Sequence, residues 1–352
     1  MPEPSPVHLP GAVPNDPTAP GRKDDHIELA FQSQVEHGML DDRFDYEPLL
    51  AAHPVPGSLP RMKWGRATLR APLWVSSMTG GTDKAYTINH NLARAVGEFG
   101  LGMGLGSCRS LLYDDGRFHD FNVRPAAGPD APIFANLGSA QVQILLERGE
   151  LAMIPQLVDA LQLDGLIVHV NPLQEWLQPE GDRFTVAPIH TVRALLEELP
   201  DLPLIVKEVG QGMGPASLRA LLELPLLALD TAANGGTNFS KLELFRSDAL
   251  ARSAYGGLTR VGHSATDMVH RINALTSDEH LQLRCQNLII SGGVQGFLDG
   301  YYLTEIARMP AIYGQASAFL RHAREDYDSL RRYVATQLRG LELAKAYLHP
   351  RR

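Results

Sequence analysis

The stretch Leu163–Gly181 reads LDGLIVHVNPLQEWLQPEG. Its apolar run, GLIV, leads directly into His169, Asn171, Gln174 and Glu175. Asn171-Pro172 and Pro179-Glu180-Gly181 are turn formers and explain why a strand stops here. They do not explain four hydrogen-bonding side chains within seven positions where an apolar strand emerges. The kind of sheet that holds the strand does.

Seven further runs share this character. PLWVSSM (72–78), LGMGLG (101–106) and PIFANLG (132–138) precede it, and PLIVKEVG (203–210), LLALDTA (226–232), NLIISGG (287–293) and AIYGQAS (311–317) follow. Amphipathic stretches such as VRALLEEL (192–199) and PASLRALLEL (215–224) lie between them. Strands that are apolar throughout and separated by helices indicate a parallel sheet covered on both faces. Eight of them in roughly 250 residues predict an α/β fold, a closed (β/α)8 TIM barrel with an N-terminal extension.

In such barrels the active site lies at the C-terminal ends of the strands. Polar residues recur there: Ser76, Ser77 and Thr79; Ser107 and Arg109; Asn136; His169 and Asn171; Lys207 and Glu208; Asp230; and Ser291 with Gly292 and Gly293. Side chains alternate faces along a strand. Ile167, His169 and Asn171 therefore share one face, as do Ile205, Lys207 and Val209. One polar strand end is ordinarily a cap or turn; seven together predict a site.

Composition bounds the rest. The chain has 352 residues, 44% of them apolar, enough for a large core. A formal net charge of -8 argues against a broad nucleic-acid-binding surface. The two cysteines, Cys108 and Cys285, form no metal-ligand spacing and no disulfide framework, which suits a reducing cytoplasm. No apolar run reaches the roughly 18–20 residues of a membrane helix. Residues 1–21 hold seven of the 25 prolines and lack a basic or apolar leader pattern. They read as a flexible arm, and residues 22–352 as one barrel domain.

Several motifs carry chemistry of different weight. SSMTGGT (76–82) sets two glycines after a strand, where backbone N–H groups can approach a ligand or simply make a turn. SGGVQG (291–296) and YGQAS (313–317) follow the last two strands, where many barrels hold a phosphate. That points to Gly292, Gly293 and Val294, with Tyr313, Gly314 and Gln315. Lys207 ends an apolar strand, and a lysine there suits a Schiff base or an anionic ring system. In NGGTNFSKLE (234–243), Thr237 either meets a ligand or caps the following helix. Glu175 is a solvated loop carboxylate or a ligand for a hard cation such as Mg²⁺. RKDDHIEL (22–29) is a mixed surface helix start, or Arg22 and Lys23 hold phosphates. Cys108 has no histidine placed by sequence to activate it, so it is not read as a nucleophile.

RKDDHI, SSMTGGT, GSCR, ANLG, HVNPLQEWLQPEGDRF, VKEVGQG, NGGTNFSKLE and SGGVQGFLDG occur in this order. Together they resemble the type 2 isopentenyl diphosphate isomerases, flavin-dependent barrels of isoprenoid biosynthesis. The likeness runs over roughly residues 22–340, and HVNPLQE with QPEG is its most specific part. It implies FMN, Mg²⁺ and flavin reduction by NADPH, with isopentenyl and dimethylallyl diphosphate interconverted and no net redox change. It also implies a homo-oligomer, a tetramer or octamer. Carried onto matching positions, Ser77, Met78, Thr79, Ser107, Asn136, Lys207, Thr237, Gly292 and Gly293 become FMN contacts, and Ser76, Val294, Gly314 and Gln315 join them as candidates from their places at the strand ends. Arg22, Lys23, Ser107, Arg109 and Gln174 become substrate contacts, and Glu175 the Mg²⁺ ligand. Lys207, His169, Asn171 and Gln174 form the catalytic set. Two departures stand out: Cys108 replaces a usual Gln, and DGYYLTEIARMPAIYGQASAFL replaces the usual segment after SGGVQGF. The rival readings are a redox flavin barrel of the hydroxyacid oxidase or dehydrogenase type, and a non-catalytic FMN-binding protein.

Overall fold

The computed structural model describes residues 19–77, 79–82 and 84–351. These fall into two compact units, one reaching to Phe44 and taking in Arg351, the other covering Asp45–Pro350. Helix Ala19–Leu29 belongs to the first unit and carries Arg22 and Lys23 as exposed side chains. The division expected at residue 21 falls inside this helix.

The second unit is built on a closed barrel of eight parallel strands. They are β1 (Leu73–Val75), β2 (Gly102–Gly104), β3 (Ile133–Gly138), β4 (Gly165–His169), β5 (Leu204–Lys207), β6 (Ala228–Asp230), β7 (Asn287–Ser291) and β8 (Ala311–Gln315). They pair in chain order and close β8 onto β1, so all eight apolar runs find their expected place. The intervening helices cover the outside with one apolar stripe each. Helix Pro188–Glu198, for example, buries Thr191, Val192 and Leu195.

Strand alternation fixes what fills the barrel. Trp74, Phe134, Ile167, Ile205, Ala228, Ile289 and Ile312 point inward as one core cluster. The antiparallel hairpin Met62–Trp64 with Ala67–Leu69 adds Trp64 and Leu69 to that cluster. Trp64 and Trp74 meet in a tilted contact with ring centroids 5.5 Å apart, and Trp74 lies 5.9 Å from Phe134. Strand β2 makes room for this bulk with glycines: a Cβ on Gly102 would lie 2.3 Å from the Trp74 ring. Truncating such a buried aromatic costs about 3–5 kcal/mol.

One local expectation needs correction. NPLQEW does not turn the chain as a loop: Pro172–Leu177 is a short helix with Asn171 at its N-cap. Proline at the first helical position has its φ preset and no N–H to waste. The helix leaves Trp176 exposed, with the Arg183 guanidinium 5.1 Å from its ring.

Candidate active site

Two residues beyond each inward core residue lies the next inward position. Trp74 is followed by Ser76, Phe134 by Asn136, Ile167 by His169, Ile205 by Lys207, Ala228 by Asp230, Ile289 by Ser291 and Ile312 by Gly314. The barrel interior thus changes from apolar to polar within a single pleat. Strand β2 contributes Gly104 here, where a Cβ would lie 2.5 Å from Ser77 Oγ.

Above β1, β5, β7 and β8 opens a cavity of about 410 Å³. Ser76, Ser77, Lys207, Thr237, Gly292, Gly293, Val294, Gly314 and Gln315 all line it. Gly292 has φ +89°, and a Cβ there would sit 2.0 Å from the Ala233 carbonyl oxygen. Gly293 has φ +75° and approaches Gly235 across the cavity rim. No L side chain fits the first position. The Ser76 and Ser77 hydroxyls are buried and have no hydrogen-bond partner among the described residues. Unpaired buried hydroxyls are costly unless a ligand satisfies them.

Lys207 is 8% exposed and makes no hydrogen bond or ion pair among the described residues. Its register partners on the neighbouring strands are His169 and Asp230. Burial, reinforced by the Lys207 charge, pushes the His169 pKa down to about 3. His169 is therefore neutral near pH 7. Asn136 Nδ2 donates to the Leu105 carbonyl at 3.1 Å, which turns Asn136 Oδ1 toward His169 Nδ1 at 2.8 Å. This network puts the imidazole proton on Nδ1 and leaves Nε2 as an acceptor. Burial also raises the Asp230 pKa, against the opposing pull of Lys207 and the Ser291 hydroxyl. Glu208 turns away from Lys207 and accepts the backbone N–H groups of Gly210, Gln211 and Gly212.

The β4 side of the mouth is wired differently. Asn171 Nδ2 donates to Glu175 Oε1 at 2.9 Å and to Gln174 Oε1 at 3.1 Å. Glu175 is buried, and its Oε2 accepts the Asp182 N–H at 2.8 Å. Asp182 pairs with Arg109 at 2.7 Å and accepts from Gln141. Gln174 reaches Glu243, which pairs with Arg246 at 2.9 Å. Among the described residues no group of three or more His, Cys, Asp and Glu side chains is disposed to hold a metal. Glu175 does suit Mg²⁺ as a lone protein ligand: each oxygen keeps a lone pair, and buried Asn171 Oδ1 beside it is unpaired.

Other sequence-derived candidates scatter. Thr79, Ser107 and Asn136 do not line the 410 Å³ cavity, and Met78 lies outside the described residues. Tyr313 faces the helix layer, its ring packed on Gly300. The cap of helix Phe239–Arg246 is Asn238, whose side chain accepts the Lys241 N–H, so Thr237 is not needed for capping. Cys108 is fully buried, and burial lifts its thiol pKa to about 12. Sequence reasoning missed Arg321, His322 and Tyr333, which line the cavity beside Gln315. Tyr333 donates to Gln315 Oε1 at 2.9 Å and stacks on His322. It also missed Asp182 and Glu243.

No family model matches the chain. Its fold is shared with a mandelate oxidase variant carrying a monooxide FMN adduct, at TM-score 0.53 and 13% identity over 88% of both chains. A flavocytochrome b2 variant with sulfite bound matches at TM-score 0.57 and 12% identity over 92% of this chain and 81% of that one. In sequence the chain is similar to the isopentenyl-diphosphate delta-isomerase of Rickettsia peacockii (strain Rustic). The two are 33% identical over 312 residues, 86% of this chain and 85% of the relative. The protein of the same name from Rickettsia bellii (strain RML369-C) is 32% identical over 313 residues, again 86% and 85%. With that identity spread over most of both sequences, the chain belongs to the isopentenyl-diphosphate delta-isomerase family.

Proposed function

We propose that the chain interconverts isopentenyl and dimethylallyl diphosphate at the C-terminal mouth of the barrel. FMN occupies the glycine-lined cavity, Mg²⁺ is held by Glu175, and NADPH serves as reductant. The observation that carries this reading is the pairing of two features on one mouth. Unsatisfied Ser76 and Ser77 hydroxyls and the buried Lys207 ammonium stand on one side, and the Glu175–Asn171–Gln174 cluster on the other.

The reaction adds a proton to one carbon of a very weakly basic alkene and removes one from another. When bound, reduced FMN supplies the acid/base group at N5. Lys207 offsets negative charge on the flavin pyrimidine edge. His169, held neutral, has no proton to release on Nε2 and instead fixes the floor with Asn136. Gly292 and Gly293 let backbone N–H groups approach the flavin phosphate. Glu175 would hold Mg²⁺, which would supply positive charge to the substrate diphosphate; Arg109 would contact that diphosphate and Gln174 the substrate. Family resemblance alone assigns Arg22 and Lys23 to that diphosphate.

The test is an anaerobic assay with flavin-loaded protein, Mg²⁺, isopentenyl diphosphate and NADPH. Dimethylallyl diphosphate formed without stoichiometric NADPH loss is the expected result. Stoichiometric consumption would place the chain among redox flavin barrels, and absence of product would leave a binding protein.

A further inference from the structure

A second cavity, of about 630 Å³, opens between helices Pro188–Glu198 and Pro215–Leu222. This lies within the roughly 300–1,000 Å³ range of small-molecule sites. Its lining is mainly apolar or small, with Ile189 and Val192 from one helix and Ala216, Ala220 and Leu221 from the other. No lysine or arginine lines the cavity, whereas Glu208 and Asn171 do. Asn171 Oδ1 is buried without a donor, and no hydrogen bond falls on Glu208 Oε1 among the described residues.

The walls are held in place. Glu208 Oε2 gathers three consecutive backbone N–H groups at 2.5–2.9 Å, which fixes the loop after β5. Gln211 Nε2 then ties that loop to the Leu258 and Val261 carbonyls at 3.1 and 2.7 Å. A gap whose walls are tied to each other does not collapse as an ordinary packing defect would. Preformed walls also lower the ordering cost of binding.

We propose that this cavity is a second ligand site, for a neutral aliphatic molecule with one hydrogen-bond-donor head. The chain of the ligand lies between the two helices, and its head donates to Glu208 Oε1. An anionic head is disfavoured, because the lining offers the Glu208 carboxylate and no lysine or arginine, and His263 is already taken up by Asp267 at 2.9 Å. The site is thus chemically distinct from any that holds a diphosphate. It still shares Asn171, and Asn171 also positions Gln174 and Glu175. The proposal does not depend on which reaction the mouth catalyses.

The experiment is calorimetric titration of flavin-loaded protein with 1-octanol and, separately, octanoate. Saturable binding of one octanol per chain with Kd of ~1 mM or tighter is expected, with octanoate at least about tenfold weaker. Ala220→Trp, which fills the space, should abolish octanol binding while the circular dichroism spectrum stays that of the parent. If that variant does not fold, Ala216→Leu should weaken octanol binding at least about threefold. No saturable octanol binding, octanoate binding as tight as octanol, or affinity unchanged in the folded filling variant would each overturn the proposal.

Discussion

The two sides of the barrel mouth satisfy their polar groups in opposite ways. Around β1, β5 and β8, Ser76 and Ser77 hydroxyls are buried and unpaired, and Lys207 has no hydrogen-bond partner. Around β4, Glu175, Asp182, Gln174 and Glu243 are each bonded to a neighbour, and Arg109 is taken up by Asp182. The first side stores unmet hydrogen-bonding capacity and is complete only with a ligand. On the second, the side chains that would meet a ligand are already bonded, with Asn171 Oδ1 the exception among the described residues, so an incoming group must exchange partners with them. A residue on the first side should therefore act through what it gives the ligand, and one on the second through the bond it must release.

The largest effect tests the unpaired side. Lys207→Met keeps the chain length and removes the charge, and turnover should fall about 10²–10³-fold with flavin still bound. Retained turnover in a flavin-loaded variant would erase the contrast. Glu175→Gln tests the paired side: the Mg²⁺ midpoint of the isomerase titration should rise roughly 10–100-fold with flavin content unchanged. Superimposed Mg²⁺ curves would return Glu175 to a purely structural role.

The next effect concerns stability. His169 has a folded pKa of about 3 against about 6.5 unfolded, so the unfolded chain binds the extra proton between those values. Stability is then fully present above pH ~6.5 and falls as pH drops toward 3, by up to ~1.4 kcal/mol per pH unit. Urea midpoints from pH 7 to 4 should fall more steeply for the wild type than for His169→Gln. Equal slopes would show that His169 is not buried in its neutral form. The smallest effect is on exchange itself. Asp182→Asn removes the charge that competes for Arg109, and the KM for the diphosphate should fall by up to about fivefold. A rise in KM would mean that Asp182 positions Arg109 rather than occupying it.

The barrel was legible because each strand is an unbroken apolar run that ends on polar residues, a pattern repeated around the whole sheet. The cavity-lining glycines were legible for a related reason: their place at the ends of β7 and β8 is set by strand order. Tyr333 and His322 were not, because they sit on helices with ordinary amphipathic patterns and meet the cavity only through packing. Asp182 and Glu243 carry no sequence signal that sets them apart from other charged residues. Their bonds to Glu175 and Gln174 come from helix Pro172–Leu177, a turn that the sequence suggested was a loop. Glu208 follows Lys207 at the strand end and so faces the other way. Its actual partners, three amides of its own loop, follow from backbone curvature that no side-chain pattern encodes.

The placement of the tryptophans gives the molecule two optical channels. Trp64 and Trp74 are buried in tilted contact in the barrel floor, while Trp176 is 65% exposed on the helix beside Glu175. The floor pair should emit at short wavelength, resist quenching by iodide, and pass excitation to a flavin lodged above it. Trp176 should emit at longer wavelength and be readily quenched. Flavin loading would then dim the blue component, while events at the Glu175 network would move the red one. A single fluorescence spectrum can therefore separate the filling of the barrel from changes at its rim.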